Sequence, residues 1–235
     1  MLAIDADPTT SLASAFGIPR EQSPEPLIAM EELIAERTGR SKEAVGAYFK
    51  LNPKVSDLPE EYSLDVDRPA GGRLRLLVLG AITQGGGGCA CPEGAFLKAL
   101  LTHTILQRQE VVLVDLAAGV EFMGRASIQG IDALVLVVEP GGRSIEAANN
   151  MAIMAGELGI GCVAAIANKL TDPAQEEFIK SQLKDIVFLG SLHYSPALQQ
   201  ADLRRERVFE ADAGIVEKLR SAKKSLTDFL SSRVG

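Results

Sequence analysis

The sequence predicts an α/β protein built on a mostly parallel sheet flanked by helices, and three observations carry that reading. Short apolar runs recur at Leu74–Leu79, Val111–Val114, Leu134–Val138, Cys162–Ala167 and Ile186–Leu189, each closing near a Gly, Asp, Asn or Pro. The runs are continuous rather than alternating, which is the pattern of strands covered on both faces. Helix-like stretches separate several of them, and strand, helix, strand in repetition calls for parallel strands joined by crossovers. A chain of 235 residues can bury a full core, so the expectation is a single domain over 1–235.

From the start, Met1–Ile4 has the character of a strand end that runs straight into Asp5-Ala6-Asp7-Pro8. Residues 20–72 are more polar and are broken by Pro24, Pro26, Pro53, Pro59 and Pro69. Within that excursion from the sheet, Leu27–Arg37 is helix-like and Tyr48–Asp67 is expected to be irregular. Ile145, Ala148, Ala152, Ala155 and Leu158 keep one apolar stripe at helical spacing. Ile215, Leu219, Ala222, Leu226 and Phe229 form another near the end, with Lys218, Arg220, Lys223 and Lys224 elsewhere on the helix. A basic amphipathic helix can lie on a membrane surface. Docking on the sheet is the expectation here, because the chain is acidic and terminal helices usually dock.

The net charge of −7 argues against broad contact with nucleic acid or anionic lipid, so neither is an expected partner. The longest apolar runs are far too short to span a bilayer, and no secretory signal opens the chain. Three cysteines are an odd number that does not look like a disulfide framework, and the expected compartment is a reducing cytoplasm.

Ligands of open parallel sheets sit beyond the carboxyl ends of the strands. Two such ends are acidic here: Ile4-Asp5-Ala6-Asp7-Pro8 and Leu113-Val114-Asp115. Mg²⁺ is usually held by one or two carboxylates plus substrate phosphates, so these aspartates are candidate Mg²⁺–nucleotide residues. Asp115 with Ala117-Ala118-Gly119 resembles a Walker B strand leading into a switch loop, with Gly119 able to approach a phosphate. An Asp after a strand can equally cap the next turn. Asn168-Lys169, after the run Cys162–Ala167, can meet a purine base through the Asn amide and the Lys stem, although both are common turn residues.

No Gly-x-x-x-x-Gly-Lys-Ser/Thr motif occurs, and Gly85–Gly88 lacks both the Lys and the hydroxyl. Those glycines lead instead into Cys89-Ala90-Cys91. In an extended segment the two sulfurs point the same way and can fill half of a tetrahedral metal site. The same loop of a second copy across a two-fold axis could supply the other half, for Zn²⁺ or Ni²⁺. A redox dithiol and two incidental thiols are the alternatives. Cys162 reads as a small core residue, and His103 and His193 have no ligand-like neighbours.

Several segments together resemble one family. Ala3-Ile-Asp-Ala-Asp-Pro8, Leu51-Asn-Pro-Lys-Val-Ser-Asp57, Gly88-Cys-Ala-Cys-Pro-Glu93, Val114-Asp-Leu-Ala-Ala-Gly-Val-Glu121, Val138-Glu-Pro-Gly-Gly-Arg-Ser144, Ala167-Asn-Lys-Leu170 and Leu189-Gly-Ser-Leu192 stand in the order seen in the accessory ATPases that insert nickel into carbon monoxide dehydrogenase. The resemblance implies a MinD/ParA-like P-loop NTPase fold that here lacks the first strand and P-loop. It implies ATP and Mg²⁺ as cofactors, with Asp7 and Asp115 as catalytic residues and Asp5, Asp7, Asp115, Gly119, Asn168 and Lys169 as nucleotide contacts. Cys89 and Cys91 would bind Ni²⁺ or Zn²⁺ at a homodimer interface, and the partner would be the dehydrogenase apoenzyme or a related nickel enzyme. Family members usually carry an acidic residue at the place of Ala117 and a histidine at the place of Phe122. They also carry a central strand before the Ile4 segment, whose removal leaves strand edges unpaired. The expectation drawn from this is a gene product that begins further upstream. Other outcomes are a non-catalytic metal- or partner-binding homologue and a MinD/ParA-type positioning ATPase.

Overall fold

The computed structural model describes residues 1–39, 49–67, 71–80, 92–107, 111–117 and 130–233. It divides into two compact units, Met1–Gly130 and Ile131–Gly235.

In the first unit, β1 (Leu2–Asp5), β2 (Leu64–Val66), β3 (Leu74–Val78) and β4 (Val112–Asp115) form a sheet of order β2-β3-β1-β4. β1 runs parallel to β3 and to β4, while β2 is antiparallel to β3. Its place between two strands explains why every residue of β1 is buried and why the segment carries no alternation. One face of the sheet packs Leu2, Ile4, Leu77 and Leu79 against Phe96, Leu100 and Leu101 of α4 (Pro92–Gln107). Leu27, Ile34 of α2 (Glu31–Thr38), Val55 and Leu58 of α3 (Leu58–Glu61) complete that core. The other face sets Ala3, Leu74, Leu76 and Val78 against Ala13 of α1 (Leu12–Ala15), with Phe16 and Ile18 alongside.

The polar excursion is therefore a structural part of this unit. Tyr48–Asp67, expected to be irregular, contains α3 and the edge strand β2. A strand of three residues is too short for periodicity to announce it. Its half-buried Leu64 and Val66 flank an exposed Asp65, which pairs with Arg73 at 3.0 Å. At the opposite side, β4 has no partner on its outer edge among the described residues, and Val111 and Leu113 are 61% and 57% exposed.

In the second unit, β5 (Leu134–Val138), β6 (Val163–Leu170) and β7 (Val187–His193) form a parallel sheet in sequence order. The crossovers are α5 (Gly142–Glu157), which buries Ile145, Ala148 and Ala155, and α6 (Ala174–Gln182), which buries Ile179. Cys162 is buried just before β6, as expected of a core residue. Then come α7 (Pro196–Arg204), α8 (Val208–Ala211) and α9 (Ala213–Ser231). The apolar stripe of α9 buries Ile215 and Ala222, and the helix packs on β7. Asp212 caps α9 by accepting from the Gly214 and Ile215 N–H groups, and Ser195, which caps α7, donates to the same carboxylate at 2.7 Å. Among the described residues no helix is long and apolar enough to cross a membrane.

Candidate functional site

β1 and β4 are direct neighbours, and their register pairs Asp5 with Asp115. The two acidic strand ends read from the sequence therefore lie side by side at the carboxyl edge of one sheet. The backbone fixes them there: the Ala6 N–H donates to the Asp115 carbonyl at 2.9 Å, and the Leu79 and Gly80 N–H groups donate to the Asp5 carbonyl at 2.8 and 3.2 Å.

The two carboxylates differ in what surrounds them. Asp5 is fully buried, and its oxygens accept from the Asp7 N–H at 3.2 Å and the Leu12 N–H at 2.9 Å. It thus ties the end of β1 to the start of α1 and shapes the intervening turn. Burial raises its pKa, the two backbone bonds pull it down, and the Asp7 charge pushes it up again. Asp7, at the half-exposed crest of the turn, accepts from the Thr9 N–H at 2.7 Å and from the Thr9 hydroxyl.

Asp115 is half-buried, and its carboxylate accepts no hydrogen bond from a described residue. Its pKa is raised by burial and then by the charges of Asp5 and Asp7. A carboxylate with neither donor nor counter-charge among the described residues, beside a second buried one, is an arrangement that a cation relieves. Among the described residues, no group of three or more His, Cys, Asp and Glu is arranged to hold a metal ion. Mg²⁺ needs no such group, since it keeps its waters and takes the remaining oxygens from phosphate. The donor set, one available carboxylate with Asp7 close by, fits that ion.

In the second unit, Asn168 and Lys169 lie inside β6, where the sequence reading set them beyond the strand. The pairing with β7 steps from Ala167↔Ser191 to Leu170↔His193, so three residues on one side match two on the other. Lys169 takes up the mismatch in the left-handed region, φ 58°, a conformation that costs a Lys about 1–2 kcal/mol. Its ammonium pairs with Glu139 at 2.6 Å, which joins the tip of β6 to the turn after β5. Both partners are more than half exposed, so the pair adds little stability. The Asn168 amide bonds to no described residue. Gly119, Cys89, Cys91 and the position of Phe122 lie outside the described residues.

No family model matches the chain. It is 43% identical over 204 residues to the carbon monoxide dehydrogenase accessory protein CooC of Rhodospirillum rubrum, an alignment covering 86% of this chain and 75% of that protein. The chain belongs to the CooC family. An uncharacterised ATP-binding protein of Methanocaldococcus jannaschii is 38% identical over 196 residues, covering 83% of this chain and 73% of its own. Among solved structures, MinD in its complex with MinC from Aquifex aeolicus matches with a TM-score of 0.64 at 18% identity, over 96% of this chain and 83% of that one. A ParA family ATPase from Chlorobium tepidum matches at 0.57 and 14% identity, over 97% and 84%. These likenesses show the MinD/ParA fold expected from the sequence.

In this CooC-family chain, three residues escaped sequence reasoning. Thr9 braces Asp7, and its signal was the Asp-Pro-Thr turn itself. Glu139, the partner of Lys169, stands in the quoted Val138–Ser144 segment directly after a strand. Gly80 has φ 69° and packs so tightly that an added Cβ would sit 2.8 Å from Ile28 Cγ2. A lone glycine after a strand carries no such information.

Proposed function

We propose that this protein is an ATP-dependent accessory protein for carbon monoxide dehydrogenase maturation, acting in a reducing cytoplasm as a homodimer that delivers nickel. One observation carries the nucleotide half of the reading: a half-buried Asp115 whose carboxylate has no hydrogen-bond donor among the described residues, in register beside the buried Asp5, in a chain related to CooC. Mg²⁺ with nucleotide phosphates would supply the positive charge that this carboxylate lacks. Asp115 holds the ion directly or through water, Asp7 lies close enough to share it, and Asp5 positions the turn that carries Asp7. The same reading assigns Gly119 to the phosphate side and Asn168 and Lys169 to the adenine base. Cys89 and Cys91 would hold Ni²⁺ or Zn²⁺ with the same pair of a second copy.

The sequence contains no Gly-x-x-x-x-Gly-Lys-Ser/Thr loop, so these 235 residues lack that motif's Lys for a triphosphate. That favours a second reading for this polypeptide, metal or client binding without hydrolysis. Calorimetric titration with Ni²⁺ and Zn²⁺ tests the cysteine assignment. The parent is expected to take one ion per pair of chains, and Cys89→Ser/Cys91→Ser to lose that site. Unchanged metal binding by the double variant removes the metallochaperone reading. Mg²⁺-dependent hydrolysis abolished by Asp115→Asn would remove the non-catalytic one.

A further inference from the structure

The segment Leu51–Asp57 is part of the family resemblance, yet nothing in the carboxylate site uses it. It runs across α4 and walls a groove of about 610 Å³, with Asn52, Lys54 and Ser56 on one side and Lys98, Thr102 and His103 on the other. That volume lies within the range of small-molecule sites.

The groove sets polar side chains among apolar ones, Leu51, Pro53, Val55 and Ala99, because of how its walls are built. Along the extended segment Pro53 and Val55 are buried, and Val55 joins the core. The alternate residues Asn52, Lys54 and Ser56 are therefore exposed. On α4, Lys98 and Thr102 are four residues apart, as are Ala99 and His103, so the pairs stand one turn above each other. Ala99 packs on the core and, being small, leaves room between the two rows.

The walls are also held in advance of any ligand. Arg37 donates to both oxygens of Asp57 at 2.9 Å and to the Lys54 carbonyl at 3.4 Å. The Lys50 N–H donates to the Thr38 carbonyl at 2.7 Å, and the Leu58 N–H to Val55 at 3.2 Å. Asp57, the carboxylate next to the groove in sequence, is engaged by Arg37 and does not line it. No Asp or Glu does. Neither Lys54 nor Lys98 forms an ion pair with a described residue. In a chain of net charge −7, this is a local concentration of positive charge and hydrogen-bond donors.

We infer that the groove between residues 51–56 and α4 is a binding site for a small, multiply charged anion bearing phosphate or carboxylate groups. Lys54 and Lys98 supply the charge from opposite walls. The Asn52 amide, the Ser56 and Thr102 hydroxyls and the His103 imidazole supply directional bonds. The Arg37–Asp57 clamp keeps the backbone of one wall in place, so binding orders the lysine side chains rather than the chain path. The site is separate from the Asp5–Asp115 tip and needs no divalent cation.

The test is calorimetric titration of the full chain with pyrophosphate and, separately, citrate, at low ionic strength without divalent cations. At least one probe should bind saturably. Lys54→Ala/Lys98→Ala should weaken that binding tenfold or more without lowering the melting temperature. Lys54→Arg/Lys98→Arg should restore it, and Lys184→Ala/Lys218→Ala should leave it unchanged. Pyrophosphate binding alone marks a phosphate-bearing ligand, and citrate binding alone a carboxylate. Absence of saturable binding by both probes overturns the inference, as does binding that survives loss of the two groove lysines.

Discussion

Replacing Asp115 with Asn should stabilise the protein at neutral pH when no divalent cation is present. Neighbouring strands lie about 4.8 Å apart, so in-register carboxylates at Asp5 and Asp115 stand roughly 5–6 Å apart. At an effective dielectric constant of about 20–40 their repulsion is on the order of 1.5–3 kcal/mol. The upper figure is a ceiling, because the pair escapes part of the cost by retaining a proton. The substitution sacrifices no hydrogen bond to a described residue. For a chain of this size it should raise the melting temperature by about 3–12 °C. The pH dependence follows from the direction of the shifts. Both carboxyls have raised pKa values, so the folded state binds protons more tightly than the unfolded one. The parent therefore loses stability as pH rises from the ordinary carboxylate range through the raised values. Asp115→Asn removes one of these groups and flattens the curve. Thermal melts between about pH 4 and 8 in EDTA would measure it. The gain should be largest at the alkaline end and shrink toward the acid end, as Asp115 takes up its proton. A loss of stability at neutral pH, or a gain independent of pH, refutes the electrostatic account of this site.

Gly80→Ala should cost about 2–4 kcal/mol in urea unfolding, combining a left-handed φ with a new Cβ 2.8 Å from Ile28 Cγ2 and 3.1 Å from Pro26 Cβ; a cost under about 0.5 kcal/mol would mean the contact relaxes freely. Leu113→Lys places a charge on the exposed outer strand of the first sheet and should delay aggregation on warming, read by light scattering, with the melting temperature little changed. Unaltered aggregation would mean that this edge is not where the chains associate.

The strands were legible where burial on both faces made their runs continuous, as in Leu2–Asp5 and Leu74–Val78. The β4 segment was legible too, although its outer edge is exposed, because strand propensity does not depend on a neighbour being present. β2 was not, since three residues cannot show a period. The far end of β6 was hidden because Asn168 and Lys169 are turn formers by propensity. Pairing with β7 overrides that preference and leaves its mark as a bulge and a left-handed Lys169. The α9 stripe predicted a docked helix, which packs on β7 as expected, though Leu219 on that stripe remains 42% exposed. At the site, the sequence showed that strands ended in carboxylates. It did not show which carboxylate was already engaged, because the Leu12 donor to Asp5 is brought there by the path of the turn.

That difference decides what each aspartate can do. Two carboxylates in register on adjacent strands have nearly the same address, and composition treats them alike. The segment Asp7–Leu12 folds back on Asp5, gives it two N–H donors and seals it from solvent, so Asp5 spends its oxygens on the chain's own backbone. Asp115 ends a strand, and no described residue donates to its carboxylate. A cation arriving at this edge gains more from Asp115 than from Asp5. Reducing Asp5 to Asn should therefore loosen the turn and move Asp7, whereas the same change at Asp115 should remove the cation's ligand and leave the turn intact. Amide exchange at Asp7 and Leu12 separates the two. Exchange should quicken in Asp5→Asn and stay slow in Asp115→Asn, and the reverse pattern would assign the structural role to the wrong carboxylate.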